Sequence, residues 1–453
     1  PADRVLLEPE DLYVYSSDAT HYFKWRAPEA VVLPETVEEV SQLIRYADKQ
    51  EVPVTPRGAG SGLEGGCTPI QGGIVADMKR MNKILEINRG NMTAQVESGL
   101  VLANFHRAVE KMGLFYPPDP QSKSVCTLGG NVSTRAGGAR GIKYGTTPNY
   151  VLGLEVVLPD GSVIKTGSKC VKHSVGYDLT HLLTGAEGTL GIITKVTVRL
   201  LPLPPAHRTI LVTIDTLENA ARTVSEIVAS GTVPAMLEFL GGMAMNTLNK
   251  VLPSPVDTSA GAEAYLLIDL DGTPAQLDHD ASAIDSLCRQ MNALEMRVIE
   301  NEKEAKAYWD GRAKLGPMVQ ALFKKCFPED ITVPRNRIPE LVRSIQEISA
   351  STGMMIGIAG HLGDGNMHPT LMYPEVNEEM ERRADAAVRK MIRLTLDLEG
   401  TMSGEHGVGL HKSQYLAWEL GEHQVELMKR IKKAFDPKGI MNPGKIWVEA
   451  GKA

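Results

Sequence analysis

Two hydrophobic periods alternate along this chain, a helical one and short runs rich in β-branched residues, and together they place most of the elements. Val31-Val32-Leu33 closes on Pro34, and the residues behind it predict a helix from Val37 to Gln50 with Thr36 as its N-cap. Val52 to Thr55 reads as a strand running into Pro56-Arg57-Gly58-Ala59-Gly60-Ser61-Gly62. Further strands are predicted at Gly73 to Met78, Thr93 to Glu97, Leu152 to Leu158 and Gly191 to Leu200. Pro159-Asp160-Gly161, between Leu158 and Val163, is a hairpin turn signal. Residues 1 to 205 therefore read as one α+β domain.

The proline-rich segment Leu201-Pro202-Leu203-Pro204-Pro205 disfavours helix and central strand alike, and marks a boundary. Beyond it the pattern gives a strand at Thr209 to Ile214, a helix at Leu217 to Ala229, a strand at Ala264 to Asp269 and a helix at Pro274 to Met291. This alternation predicts a second α+β domain over residues 206 to 415. A helix from Asn377 to Leu398 stops at Gly400 and delivers the chain into Ser403-Gly404-Glu405-His406-Gly407. A last helix, Gln424 to Phe435, belongs to a C-terminal segment over residues 416 to 453.

The region before Glu405 carries the clearest chemistry. Met354 to Ala359 and Met367 to Met372 are short apolar runs, and Gly363-Asp364-Gly365 between them is a turn signal. Folding back there brings His361 and His368 together. Glu405 and His406 are neighbours in a segment expected to be extended, where successive side chains point to opposite sides. One can then face a metal and the other a substrate. Imidazole and carboxylate oxygen suit divalent Zn, Fe or Mn, and three protein ligands (His361, His368, Glu405) leave a coordination position open, as in a catalytic site. Two such histidines alone would more often serve the backbone of their own turn; Glu405-His406 and the surrounding glycines shift the balance towards a metal site.

At 453 residues the chain is long enough for two or three domains. A net charge of −7 and a pI near 5.9, with no polybasic cluster, argue against a nucleic-acid surface. No run reaches the roughly 18 apolar residues of a membrane span, and Pro1 to Asp18 lacks the basic-then-apolar order of a secretory signal. Peripheral contact with a membrane stays open. Cys67, Cys126, Cys170, Cys288 and Cys326 are scattered and odd in number, so they read as reduced thiols of a cytoplasmic protein. Their spacing also excludes a ferredoxin-type cluster, so electrons from any redox reaction leave through another protein or a diffusible acceptor.

The loop from Pro56 to Gly62 looks like a dinucleotide fingerprint but departs from the Rossmann spacing, and Gly65, Gly66, Thr68 and Pro69 after it do not open a helix. It can still present backbone N–H groups to phosphate oxygens. Thr127-Leu128-Gly129-Gly130-Asn131-Val132-Ser133-Thr134, continuing to Gly137-Gly138, and Glu187-Gly188-Thr189-Leu190-Gly191-Ile192-Ile193 also place small residues where a flat ligand approaches backbone. Three such loops in one domain predict an extended dinucleotide.

In order along the chain, the loop at 56 to 66, Pro117-Pro118-Asp119-Pro120, the 127 to 138 run, the 187 to 193 run and Asn442-Pro443-Gly444-Lys445 resemble the FAD-binding motifs of the vanillyl-alcohol oxidase type flavoproteins. His361, His368 and Glu405-His406 resemble the D-2-hydroxyacid dehydrogenase branch, which includes D-lactate dehydrogenases, the glycolate oxidase D subunit and D-2-hydroxyglutarate dehydrogenase. The resemblance implies a two-part FAD-binding domain, an α+β substrate (cap) domain carrying the metal, and a C-terminal segment returning to the FAD domain. It assigns cofactor contacts to Pro56, Arg57, Gly58, Ala59, Gly60, Ser61, Gly62, Pro118, Asp119, Leu128, Gly129, Gly130, Asn131, Ser133, Thr134, Gly138, Glu187, Gly188, Gly191, Ile192, Ile193 and Asn442. Ser61 stands where covalent members often carry a histidine, so FAD is expected to be non-covalent, although Cys126 lies close to a flavin-lining run.

The same resemblance makes His406 the acceptor of the substrate hydroxyl proton, flavin N5 the hydride acceptor and Arg312 the cation for the substrate carboxylate. Gly316 stands where the hydroxyglutarate enzymes have threonine, and no lysine lies just before Asp330, which favours D-lactate or glycolate over a dicarboxylate. Expected partners are a small 2-hydroxyacid and either a protein electron acceptor (electron-transfer flavoprotein or iron–sulfur subunit) or a quinone; a homodimer is compatible. The alternatives are a D-2-hydroxyglutarate dehydrogenase, a non-catalytic FAD-binding subunit, a flavin-free metal-binding protein, and an ether-lipid synthase whose histidine-rich run is missing here.

Overall fold

Thr36 is extended and its hydroxyl accepts the N–H of Glu39 at 3.3 Å, so the helix Val37–Gln50 begins where its cap predicts. Its apolar stripe, Val40, Ile44 and Ala47, is buried against Val54, Ala76, Val157 and Ile192. The computed structural model describes residues 2–20, 26–258 and 261–447, and these divide into two units.

The first unit draws on residues 1–136, 146–203 and 405–453. The capped helix connects Ala30–Val32 to Val54–Arg57, and both strands pair parallel with Ile74–Asp77 between them. A parallel crossover of this kind needs a helix-length connection. A separate antiparallel sheet has the order Ile84–Asn88, Thr93–Glu97, Ile192–Arg199, Val151–Val157, Val163–Gly167. The last two form the hairpin expected at Pro159-Asp160-Gly161, with Asp160 accepting the N–H of Ser162 at 2.8 Å. The predicted last helix, Gln424 to Phe435, lies within Leu416–Phe435, which Gly421 at φ 74° divides into two helical pieces across a kink.

The second unit, residues 137–145 and 204–404, is built on an antiparallel sheet ordered Glu295–Ile299, Ala206–Ile214, Ala264–Gly272, Met236–Gly241, Ala359–Gly360. One face, with Ile210, Val212, Leu266 and Ile268, is covered by the helices Leu217–Ala229, Pro274–Gln290 and Ile338–Thr352. The other, with Leu211, Leu240, Tyr265 and Leu267, is covered by Gly242–Leu248 and Glu302–Gln320. Burial on both faces explains why these strands read as continuous apolar runs rather than alternating ones.

Membership of the units differs from the expected boundaries in two places. Residues 405–415 pack with the first unit, tied there by the Glu64 carbonyl, which accepts the N–H of Leu410 at 2.7 Å, and by the Glu187 carboxylate on the N–H groups of Val408 and Gly409. Residues 137–145, Gly138 included, pack with the second unit, where the Lys143 ammonium and Tyr144 hydroxyl both reach the Asp271 carboxylate. Among the described residues no helix is long and apolar enough to cross a membrane.

Candidate active site

Three sequence-predicted glycine segments converge in the first unit. The strand Val54–Arg57 hands the chain to a loop with no helix behind it, as its departure from the Rossmann spacing predicts. Gly58 lies against the Thr127 side chain and 3.7 Å, measured from its missing Cβ, from Gly130. Gly188 lies against Pro56. The Asn442 amide donates to the carbonyls of Gly66 at 2.8 Å and Glu187 at 2.7 Å, which ties the first and third segments together. Beside them a cavity of about 490 Å³ is lined by Arg57, Gly58, Ala59, Asp77, Lys79, Gly99, Leu100, Asn104 and Thr127. Bare glycine backbone with Arg57 and Lys79 suits the phosphates of a dinucleotide. Ser98 Oγ is buried without a hydrogen-bond partner among the described residues, so these residues fit FAD.

Not every residue expected to contact the cofactor lies in a loop. Leu128, Gly129, Gly130, Asn131, Ser133 and Thr134 sit on a short helix, Leu128–Thr134, capped by the Thr127 hydroxyl on the N–H of Gly130; the expected loop is corrected here. Pro118 and Asp119 are held by His106, whose Nε2 is 3.1 Å from the Pro118 carbonyl, and by Lys123, 3.6 Å from the Asp119 carboxylate. Ile192 and Ile193 open the strand Ile192–Arg199, and Gly191 precedes it.

The floor of this unit is rich in buried charge. Burial pushes the Glu187 carboxyl up to about 7, although its two oxygens accept the N–H groups of Val408 and Gly409 at 2.8 Å each. Burial likewise pushes Asp18 up to about 6 and Lys445 down to about 8. Lys445 donates to the carbonyl of Thr68 at 2.7 Å and to the Asn442 amide oxygen at 3.2 Å. Glu64, buried, has Oε1 3.6 Å from Nδ1 of His406 and 3.6 Å from the Lys412 ammonium. Sequence reasoning missed Glu64, Asp18 and Lys412, which carry no motif.

In the second unit the expected hairpin forms: Met355–Gly357 pairs antiparallel with Thr370–Tyr373, in register Met355↔Met372. His368 donates its backbone N–H to Ala359 at 2.9 Å, and a turn of 3₁₀ helix, Leu362–Asp364, closes the bend. The rings of His361 and His368 lie 5.1 Å apart, centre to centre. Each turns Nδ1 towards an oxygen: His361 to Oε1 of Glu238, His368 to the carbonyl of Glu329 at 3.2 Å with Asp330 at 3.9 Å. Asp330, fully buried, also accepts from the Asn366 amide and the Ser403 hydroxyl at 3.0 Å each. Imidazoles backed in this way through one nitrogen are suited to ligate metal through the other.

Arg312 is not a surface arginine. It is buried on the helix Glu302–Gln320, and its Nε and Nη2 both lie 2.6 Å from Oε2 of Glu238. Burial drives the Glu238 carboxyl upward, but Arg312 and His361 outweigh it and hold it below the usual range. Glu238 was not singled out in the sequence. The available signal was a lone acid inside the apolar strand Met236–Gly241.

Glu405 and His406 are half-buried and belong to the first unit. They occupy a bend rather than the expected extended segment. The flanking glycines explain the difference: Gly404 has no room for a Cβ beside Asn366 and Thr332, and Gly407 turns the chain at φ 83°.

Solved structures share this architecture. p-Cresol methylhydroxylase superposes with a TM-score of 0.81 at 19% identity, over 100% of this chain and 95% of that one. Alkyldihydroxyacetonephosphate synthase gives 0.77 at 20%, over 98% and 83%. At such identities the likeness shows the fold, that of the vanillyl-alcohol oxidase type flavoproteins. Residues 28–167 match the model of the FAD binding domain and residues 203–446 that of the FAD linked oxidases, C-terminal domain. Glycolate oxidase subunit GlcD of Bacillus subtilis is 41% identical over 96% of this chain and 92% of its own length. The Escherichia coli K12 GlcD is 35% identical over 98% and 88%, and D-lactate dehydrogenase of Anaerostipes hadrus 34% over 98% and 94%. The chain belongs to the FAD-linked oxidases, in their D-2-hydroxyacid dehydrogenase branch.

Proposed function

We propose that this FAD-linked oxidoreductase oxidises a short D-2-hydroxyacid, D-lactate to pyruvate first and glycolate second, with help from one divalent metal, and passes the electrons to a separate acceptor. The observation that carries the reading is the pairing of His361 and His368 with an oxygen behind Nδ1 of each, in the same unit as the buried Arg312. The names of the relatives support the substrate class.

In this reading His361, His368 and Glu405 would hold a divalent metal, which would supply positive charge that favours an ionised substrate hydroxyl. Arg312 keeps one edge of its guanidinium on Glu238 and offers the other to the substrate carboxylate. His406, with Nδ1 near the Glu64 carboxylate, takes the hydroxyl proton on Nε2, a role worth about 10²–10⁴-fold in rate. The cradle from Arg57 to Gly62 and the helix Leu128–Thr134 would hold non-covalent FAD, which would supply the hydride-accepting chemistry. Gly316, with no side chain to meet a second carboxylate, favours a monocarboxylic substrate over D-2-hydroxyglutarate. The acceptor is a partner protein, in keeping with the subunit names of the GlcD relatives.

Anaerobic mixing of the purified protein with D-lactate, following the visible flavin band with and without prior chelation, tests the reading. Bleaching that chelation abolishes supports it. Bleaching by glycolate alone moves the substrate, and no bleaching by either acid favours a non-catalytic FAD-binding subunit.

A further inference from the structure

We infer that Glu238 is a positioning residue that couples the metal site to the substrate-carboxylate site. The inference rests on the roles proposed for His361 and Arg312. Glu238 is fully buried on the strand Met236–Gly241, beside Leu240 and Leu267. An acid enclosed this way persists only if its oxygens are satisfied, and the two oxygens are divided between partners from different elements. Oε2 takes Nε and Nη2 of Arg312, at 2.6 Å each, from the helix Glu302–Gln320. Oε1 takes Nδ1 of His361, from the hairpin that follows Ala359–Gly360.

Two consequences follow from the chemistry of an ionised carboxylate, which only accepts. Nδ1 of His361 carries the proton, so Nε2 presents the lone pair with which an imidazole ligates a cation. The Nε edge of Arg312 is committed, so the Nη1/Nη2 edge is the one held ready for a second carboxylate. One planar group therefore sets the tautomer of a ligand and the aim of a substrate cation at once. It cannot swing to serve one better without loosening the other. Glutamine cannot replace it. Its NH₂ would face either the Nδ1–H of His361 or the N–H groups of Arg312, so one contact is lost whichever way the amide turns.

The test compares the FAD-loaded wild type with E238Q, R312A and E238Q/R312A. Apparent affinity for Zn²⁺ or Mn²⁺ is read by equilibrium dialysis and elemental analysis, and KM and kcat are measured for the acid that bleaches the flavin. E238Q is expected to bind metal about 10–100-fold more weakly and to raise KM, at wild-type flavin content. In the R312A background the same change should add little to KM, since its effect runs through that arginine. Unchanged metal affinity and KM in E238Q, or KM effects that multiply in the double variant, overturn the coupling and reduce Glu238 to a structural ion pair. A wild type that takes up no metal overturns the metal reading, and the coupling with it. If E238Q loses flavin, E238D is put through the same cycle: it keeps the charge but is too short to span both partners, so it must weaken one of the two readouts.

Discussion

Gly58 and Thr127 come so close that a methyl group on Gly58 would fall inside the contact distance of the Thr127 hydroxyl, the group that caps the helix Leu128–Thr134. Gly58→Ala therefore displaces a cap. The Thr127 hydroxyl must leave the N–H of Gly130, at a cost of about 1 kcal/mol, and the helix start moves away from the glycine loop. The expected result is a folded protein with substoichiometric flavin, measured as the ratio of visible to protein absorbance. Full flavin content in the alanine variant would show that the two segments can part without disturbing the cradle.

Replacing a histidine of the pair separates metal from flavin. In His368→Ala the contact with the Glu329 carbonyl goes too, while the glycine segments from Pro56 to Gly62 and from Leu128 to Thr134 keep their own sequence. Elemental analysis should find metal uptake weakened by more than the roughly 10–100-fold that accompanies loss of an outer-shell partner. Flavin content should equal that of the wild type. Equal metal content in both proteins would remove His368 from the ligand set.

Arg312→Lys keeps the charge and loses the fork. Lysine cannot grip Glu238 through one edge and a substrate through the other. Loss of a charge-assisted hydrogen bond is worth about 1.5–3 kcal/mol, so kcat/KM should fall about tenfold to a hundredfold, mostly through KM. A fall in kcat at constant KM would assign Arg312 to the chemical step instead.

Glu187 predicts a pH-dependent stability with a definite sign. Its carboxyl is raised from 4.5 to about 7 by burial, so between those values the folded chain holds a proton that the unfolded chain has released. Stability from this group is therefore greatest below pH 4.5, declines as pH rises towards 7 and is level beyond it, a change on the order of 3 kcal/mol. Glu187→Gln removes the ionisation, though it leaves one of the Val408 and Gly409 N–H groups without a good acceptor. Measured by thermal unfolding from about pH 5 to about pH 8, the gap between variant and wild type should move in the variant's favour as pH rises. A constant gap would mean that Glu187 does not change charge on unfolding.

The capped helix at Val37, the hairpin around His361 and His368, and the failure of the first glycine loop to open a helix were all legible, because each depends on local rules of spacing and turn chemistry. The helix Leu128–Thr134 was not. Two glycines cost about 1 kcal/mol each inside a helix and read as a loop, but Gly129 has no room for a Cβ, which would lie 2.5 Å from that of Ser98. Tertiary packing demands glycine there and overrides propensity. The bend at Glu405-His406 escaped for the same kind of reason. Gly404 is glycine because of Asn366 and Thr332, both distant in sequence. Glu238 and Asp330 escaped because an acid that orients a histidine forms no pattern with it along the chain.

The parallel bridge between Val54 and Met441 governs the order in which this protein can be made. The Val54 N–H donates to Ile440 and its carbonyl accepts from Asn442, at 2.8 Å each, while Glu187 waits for the N–H groups of Val408 and Gly409. As the chain emerges from a ribosome, the nucleotide-binding unit has its strand Val54–Arg57 early and stays incomplete until the whole second unit has been synthesised. The second unit, apart from residues 137–145, is one uninterrupted stretch and can fold while the ribosome is still translating. Severing the chain at Pro204 would thus not release a working nucleotide-binding fragment, since the last pieces of that fragment are encoded some two hundred codons further on.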